Sequence, residues 1–302
     1  MTVDPGLLFD PAFVRALEGL RVLARSVPPG GRHAEQRARA RGQGQEFTDV
    51  RAYVPGDDFR SVDWHVFLRL DKVFVRLFLE DQDLPIWFLL DQSTSMARGP
   101  GIGQGPNRSV VARRIVAALA YVALNHMDRI GVFPVASEAL RPLPGLSGKN
   151  GFQRLLAYLA ALPAGGTTPL LEAVQQFAAR RVRRGLCVLV SDGFDPRGAE
   201  PLVRALLRLP HRVLVVRPVH PGEARPEHLR GELRAVDCES GDHQELSVDD
   251  ALLDRYAAAY GEFRTALAAA ARRTGGGYLE VVTDQPVVPQ LATLFRHGVL
   301  TV

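Results

Sequence analysis

Four short apolar runs, separated by helical patterns, constrain this chain most. They are Ile86-Trp87-Phe88-Leu89-Leu90, Ile130-Gly131-Val132-Phe133-Pro134-Val135, Leu186-Cys187-Val188-Leu189-Val190 and Arg212 to Val219. Each is short and rich in apolar residues, as buried strands are. Between them, residues 108–127, 150–161, 165–181 and 199–209 carry helical spacing or helix-start signals. A longer helix at 249–273 and a glycine turn lead into a last strand, Tyr278 to Val282. This alternation predicts an α/β fold with a doubly wound, mostly parallel sheet flanked by helices, because parallel neighbours need long crossovers that cover both faces. Pro134 cannot donate to a ladder, which puts its strand near an edge.

The segment before the sheet differs. Asp10 and Pro11 read as the cap and first position of a helix, with Phe13, Val14, Leu17, Leu20 and Leu23 at helical spacing. Pro28-Pro29-Gly30-Gly31 ends it, and residues 30–46 read as a loop. From Phe47 to Glu80, short extended runs are separated by Pro55-Gly56-Asp57-Asp58 and Arg69-Leu70-Asp71-Lys72. The expected division of the 302 residues is therefore an N-terminal helix and β extension over 1–82 and an α/β domain over 83–302, with a polar insert at about 221–248.

Composition excludes several function classes. The formal net charge is +4, and Lys72 and Lys149 are the only lysines. No aromatic-plus-basic motif accompanies the arginines, so nucleic acid is not the expected ligand. Arg180, Arg181, Arg183 and Arg184 are the alternative surface for it, although basic residues at a helix C-terminus already answer the helix dipole. Cys187 and Cys238, the only cysteines, cannot make a disulfide framework or a four-cysteine zinc site. Cys187 lies in an apolar run and fits a reducing cytosol. The start, Met1-Thr2-Val3-Asp4-Pro5, is not a secretion signal, and the longest apolar stretch, Val110 to Leu124, is interrupted by Arg113 and Arg114. A cytoplasmic protein without a membrane span is expected.

Ligands of open α/β sheets gather beyond the carboxyl ends of the strands. Three loops with oxygen donors suit that edge. One carries Asp91, Ser93 and Ser95, the second Thr167, and the third Asp192 in Ser191-Asp192-Gly193. Two carboxylates and three hydroxyls are hard ligands, which suit magnesium or manganese with water completing the shell.

These residues carry a family resemblance. Asp91-x-Ser93-x-Ser95, the Gly165-Gly166-Thr167 segment and Asp192 after a later strand resemble the metal-ion-dependent adhesion site of von Willebrand A domains, in the same order. The resemblance implies that Asp91, Ser93, Ser95, Thr167 and Asp192 hold an ion directly or through water; Thr168 is one place beyond the usual threonine. Upstream, Glu46-Phe47, Arg51-x-Tyr53-x-Pro55-Gly56-Asp57-Asp58-x-Arg60 and Asp63-Trp64 look like the hallmark of the bacterial family called domain of unknown function 58. That resemblance implies a MoxR-type AAA+ ATPase as partner.

Residue chemistry alone leaves two readings of the upstream segment. It is either a folded buttress of turns and charge pairs, or a docking surface made of Arg51, Tyr53, Asp57, Asp58 and Arg60. For the whole protein the expected function is a non-enzymatic interaction module, in which a partner's Glu or Asp completes the ion's shell. A metal-dependent hydrolase or phosphoryl-transfer enzyme at the same loops is the alternative. Against it, Ser93 stands where a haloacid dehalogenase-type phosphotransferase has its second aspartate, and no Gly-x-Ser-x-Gly elbow is present.

Overall fold

The computed structural model describes residues 8–26, 41–42, 46–55, 57, 59, 62–70, 72–79, 85–97, 107–136, 140–163, 165–166 and 170–296. The chain forms two compact units, one of Met1–Ser26 with Leu84–Leu300 and the other of Val27–Asp83. In chain order, helix α1 (Pro11–Ser26) belongs to the larger unit. The smaller unit holds β1 (Arg41–Gly42), β2 (Glu46–Ala52), α2 (Trp64–Leu70) and β3 (Phe74–Leu79).

The larger unit continues with β4 (Ile86–Asp91), the short α3 (Thr94–Ala97), α4 (Arg108–Asn125), β5 (Ile130–Val135), β6 (Leu143–Leu146) and α5 (Gly148–Ala161). Then come α6 (Leu170–Ala179), β7 (Leu186–Val190), α7 (Ala199–Arg208) and β8 (Arg212–Val219). A hairpin of β9 (Gly231–Val236) and β10 (His243–Val248) precedes α8 (Asp250–Arg273), β11 (Gly277–Val282) and α9 (Val287–Arg296).

The main sheet has six strands in the order β11-β8-β7-β4-β5-β6. All its pairings are parallel except β5 with β6. Strand alternation divides its residues between two faces. Leu89, Leu189 and Val215 lie in register across β4, β7 and β8, and they pack in one core with Leu170, Phe177 and Leu202 from α6 and α7. Their neighbours Phe88, Leu90, Val188 and Val190 point the other way and are also buried. Helix α4, which packs on β4, lies among α1, α5 and α9. It is therefore apolar almost all round, with Val111, Ile115, Val116 and Ala118 essentially fully buried.

Local chemistry sets several boundaries. Asp10 Oδ1 accepts from the Phe13 N–H at 2.8 Å and caps α1. Asp249 Oδ1 does the same for α8 through Leu252 N–H at 2.7 Å. Pro134 lies one strand in from the edge, because the antiparallel β6 covers β5; the sequence pattern shows no sign of β6, whose run is Leu143-Pro144-Gly145-Leu146. The polar insert contains the β9–β10 hairpin, and α9 was not anticipated.

In the smaller unit, β1-β3-β2 form an antiparallel sheet, with Arg51 opposite Val75 and Ala52 opposite Phe74. Residues 64–70, expected as part of an extended run, form α2 instead. The reason is Asp63, whose Oδ1 accepts from the His65 and Val66 N–H groups at 3.0 and 3.2 Å and nucleates the first turn. Trp64 remains 55% exposed, with its ring edge-on to Phe67. Among the described residues, no helix is long and apolar enough to cross a membrane.

Candidate metal centre

Strands β4 and β7 are neighbours, and Leu90 pairs with Val190. Asp91, the last residue of β4, and Ser191-Asp192, which follow β7, therefore stand side by side at the sheet end. This is a topological switch point, since β5 lies on one side of β4 and β7 on the other. Asp91 and Asp192 are 2% and 1% exposed. Asp91 Oδ1 accepts from the Ser93 N–H at 2.8 Å, which turns the chain back over the strand end. Asp91 Oδ2 accepts from the Ser191 hydroxyl at 2.6 Å, and that hydroxyl accepts from the Gly193 N–H at 2.9 Å. The Ser93 and Ser95 hydroxyl oxygens lie 2.9 Å apart. Asp192 Oδ1 accepts from the Phe194 N–H at 3.2 Å, while its buried Oδ2 has no hydrogen-bond partner.

Burial, and then the charge of Asp192, raise the Asp91 carboxyl well above its ordinary value, against the hydrogen bonds from Ser191 and Ser93. A buried carboxylate oxygen without a donor is costly unless a cation answers it. The all-oxygen donors, and an Asp192 Oδ2 that accepts no hydrogen bond, fit a hard divalent ion. Among the described residues no group of three or more His, Cys, Asp and Glu side chains gathers.

The second loop is fastened to the first. Gly165 N–H donates to the Gln92 carbonyl at 2.8 Å, and Thr94 N–H to the Gly166 carbonyl at 2.8 Å. Gly166 N–H donates in turn to the Thr94 hydroxyl at 2.9 Å. Gly165 and Gly166 have φ of 121° and 99°, a backbone that disfavours other residues. The buried Arg113 secures the Gln92 side chain, donating to its Oε1 at 3.0 Å and to the Leu162 carbonyl at 2.9 Å. Burial pushes the Arg113 guanidinium down to about 10. Thr167 and Thr168 follow Gly166 in the chain but lie outside the described residues.

Five further residues shape this site and were not singled out by sequence reasoning. Ser191 could have been found from its place at the end of β7, beside Asp192. Arg217 had a plainer signal, a charge inside an otherwise apolar strand. It is fully buried, 4.9–5.6 Å below the rings of Phe194, Tyr260 and Phe263. Its Nε donates to the Asp192 carbonyl at 2.7 Å and its Nη1 to Glu280 Oε1 at 3.0 Å. Gly193, at φ 79°, lets the loop turn where a Cβ would lie 3.1 Å from Leu267. Arg108, at the first position of α4, donates from Nη1 to the Ser95 carbonyl at 3.4 Å and from Nη2 to Glu223 Oε2 at 2.6 Å. Nothing local in the sequence distinguishes Glu223.

In the smaller unit, Arg51 and Asp57 form a two-pronged ion pair at 2.7 and 2.6 Å, and Asp57 Oδ2 also accepts from the Val54 N–H at 2.9 Å. That pair lowers the Asp57 carboxyl below its ordinary value. Tyr53 lies 5.7 Å from Phe59, ring to ring. Asp58 and Arg60 lie outside the described residues. Arg51 and Asp57 thus pair across the turn at Pro55.

Comparison with known proteins agrees with the upstream motif. An uncharacterized protein of Mycobacterium tuberculosis (strain ATCC 25618 / H37Rv), Rv1480, is 28% identical over 283 residues, covering 93% of this chain and 88% of that protein. The uncharacterized protein MAV169 of Mycobacterium avium is 29% identical over 158 residues, covering 51% of this chain and 92% of its own length. The model of the family described as protein of unknown function DUF58 matches residues 49–266, and the chain belongs to that family.

Proposed function

We propose that this protein is a non-enzymatic interaction module with a von Willebrand A-like fold, which grips a partner protein through a metal-ion-dependent adhesion site. The observation that carries this reading is the buried Asp192 Oδ2, which accepts no hydrogen bond and has a guanidinium nitrogen of Arg108 no nearer than 3.9 Å, at the sheet end where the Ser93 and Ser95 hydroxyls meet. Asp91, Ser93, Ser95, Thr167 and Asp192 would hold magnesium or manganese. An ion with only two carboxylates among its ligands keeps an electrophilic position that a partner's Glu or Asp can fill. The partner expected from the family resemblance is a MoxR-type AAA+ ATPase in the cytoplasm, acting in the assembly or maturation of other proteins. Tyr53, with the Arg51, Asp57, Asp58 and Arg60 segment, offers a second contact region.

The test is capture of the purified AAA+ partner on immobilised protein in magnesium, in EDTA, and with Asp91→Ala. Capture should be lost in both of the latter, with circular dichroism showing that the variant is folded. Undiminished capture in both refutes the proposal.

A further inference from the structure

We infer that Arg108 is an internal competitor for the metal ion, and that Glu223 sets how strongly it competes. The inference rests on the metal reading of the Asp91 loop. Arg108 Nη1 lies 3.9 Å from Asp192 Oδ2, the oxygen that accepts no hydrogen bond. That is within ion-pair range and beyond hydrogen-bond range. Its other terminal nitrogen lies 2.6 Å from Glu223 Oε2. The guanidinium is thus shared between two carboxylates and held closer by Glu223.

A divalent ion on Asp192 and this guanidinium would answer the same oxygen and repel each other. The Arg108 and Glu223 side chains are 14% and 10% exposed, and the Asp192 side chain 2%, so water and salt screen this competition poorly. Glu223 itself is fixed from several sides. Its Oε2 accepts from the His220 N–H at 3.0 Å, and its Oε1 lies 3.3 Å from the Tyr260 hydroxyl and 3.5 Å from Arg217 Nη2. Glu223 also begins the segment that leads into the β9–β10 hairpin. A displacement of that segment that draws Glu223 away frees Arg108 to turn to Asp192, and so weakens ion binding. Arg108 is in this sense a tuning residue, acting on the ion through Asp192.

The experiment is titration of the full chain with Mn2+ alone, with free Mn2+ read from its paramagnetic resonance signal. The relevant binding is the part lost in Asp91→Asn. Arg108→Met removes the competing charge, and Arg108→Gln does so while keeping amide donors for Glu223 and Ser95. Each should bind Mn2+ about tenfold tighter than the natural chain. Glu223→Gln should bind about threefold more weakly. The double variant Arg108→Met with Glu223→Gln should stay within about twofold of Arg108→Met alone, because Glu223 acts through Arg108. Thermal melts identify any variant that has not folded. Asp91-dependent binding that neither Arg108 variant tightens overturns this inference and leaves the metal reading standing. If no chain, the natural one included, shows Asp91-dependent binding, the metal reading fails and the inference with it.

Discussion

Replacing Arg217 with methionine tests whether the floor beneath the Asp192 loop is electrostatic or merely packed. Methionine fills a similar volume in the cage of Phe194, Tyr260 and Phe263, so apolar contact is largely kept. What is lost is the Nε bond to the Asp192 carbonyl at 2.7 Å and the ion pair to Glu280 at 3.0 Å, with the longer contacts to the Tyr278 hydroxyl at 3.2 Å and to Glu223 at 3.5 Å. The Asp192 carbonyl then has no donor from β8. Glu280 suffers less, since its side chain is 20% exposed and Arg264 still reaches it at 2.8 Å. Removing one member of a buried pair costs about 3–5 kcal/mol, and the partial hydration of Glu280 points to the lower end. For a unit of this size ~3 kcal/mol corresponds to a fall in Tm of roughly 6–12 °C. Differential scanning calorimetry on the full chain reads this directly. Arg217→Lys should recover little, because an ammonium cannot replace a planar fork that serves two acceptors between rings. A fall of less than about 2 °C for Arg217→Met, or full recovery with lysine, refutes the reasoning.

Three further outcomes follow from the same geometry. Ser191→Ala removes a charge-assisted bond to Asp91 and leaves the Gly193 N–H without its acceptor, so stability should fall by about 2–3 kcal/mol in urea unfolding; a loss below about 0.5 kcal/mol contradicts the site as described. Saturating Mn2+ should raise the melting temperature of the natural chain but not of Asp91→Asn, since a ligand that binds only the folded state stabilises it; equal shifts in both chains place the ion elsewhere. Asp195 is raised by burial but lowered further by Arg197 and the Leu171 N–H, so its folded value lies below the ordinary 3.8. Its stabilising contribution is complete above 3.8 and is lost as pH falls through the lower folded value. Acid unfolding of Asp195→Asn should accordingly show a shallower loss below about pH 4, and an unchanged acid limb argues against this role.

How far the sequence could be read varies with the range of the interaction. Asp10 before Pro11 acts on the N–H three residues away and is the cap the pattern predicts; Asp249, which the pattern places at the start of its helix, caps α8 in the same way. Helix α2 was missed because its capping residue, Asp63, sits in a turn-rich stretch without helical periodicity. Strand β6 was missed because Pro144 and Gly145 disfavour a strand, and only its pairing with β5 makes one.

The candidate site follows the same rule. By itself, the sequence determined that Asp91 and Asp192 each end an apolar strand, and that serine hydroxyls follow the first of them. Those are properties of contiguous residues, expressed through strand periodicity and turn chemistry. Only the tertiary structure decided that β4 and β7 lie side by side, and with that the bond from Ser191 to Asp91 across 100 positions. It also decided that Arg217 supports the Asp192 carbonyl and that Arg108 lies between Asp192 and Glu223. The physical reason is that strand order comes from packing two helical layers onto one sheet, whereas periodicity records only which residues of a segment face inward.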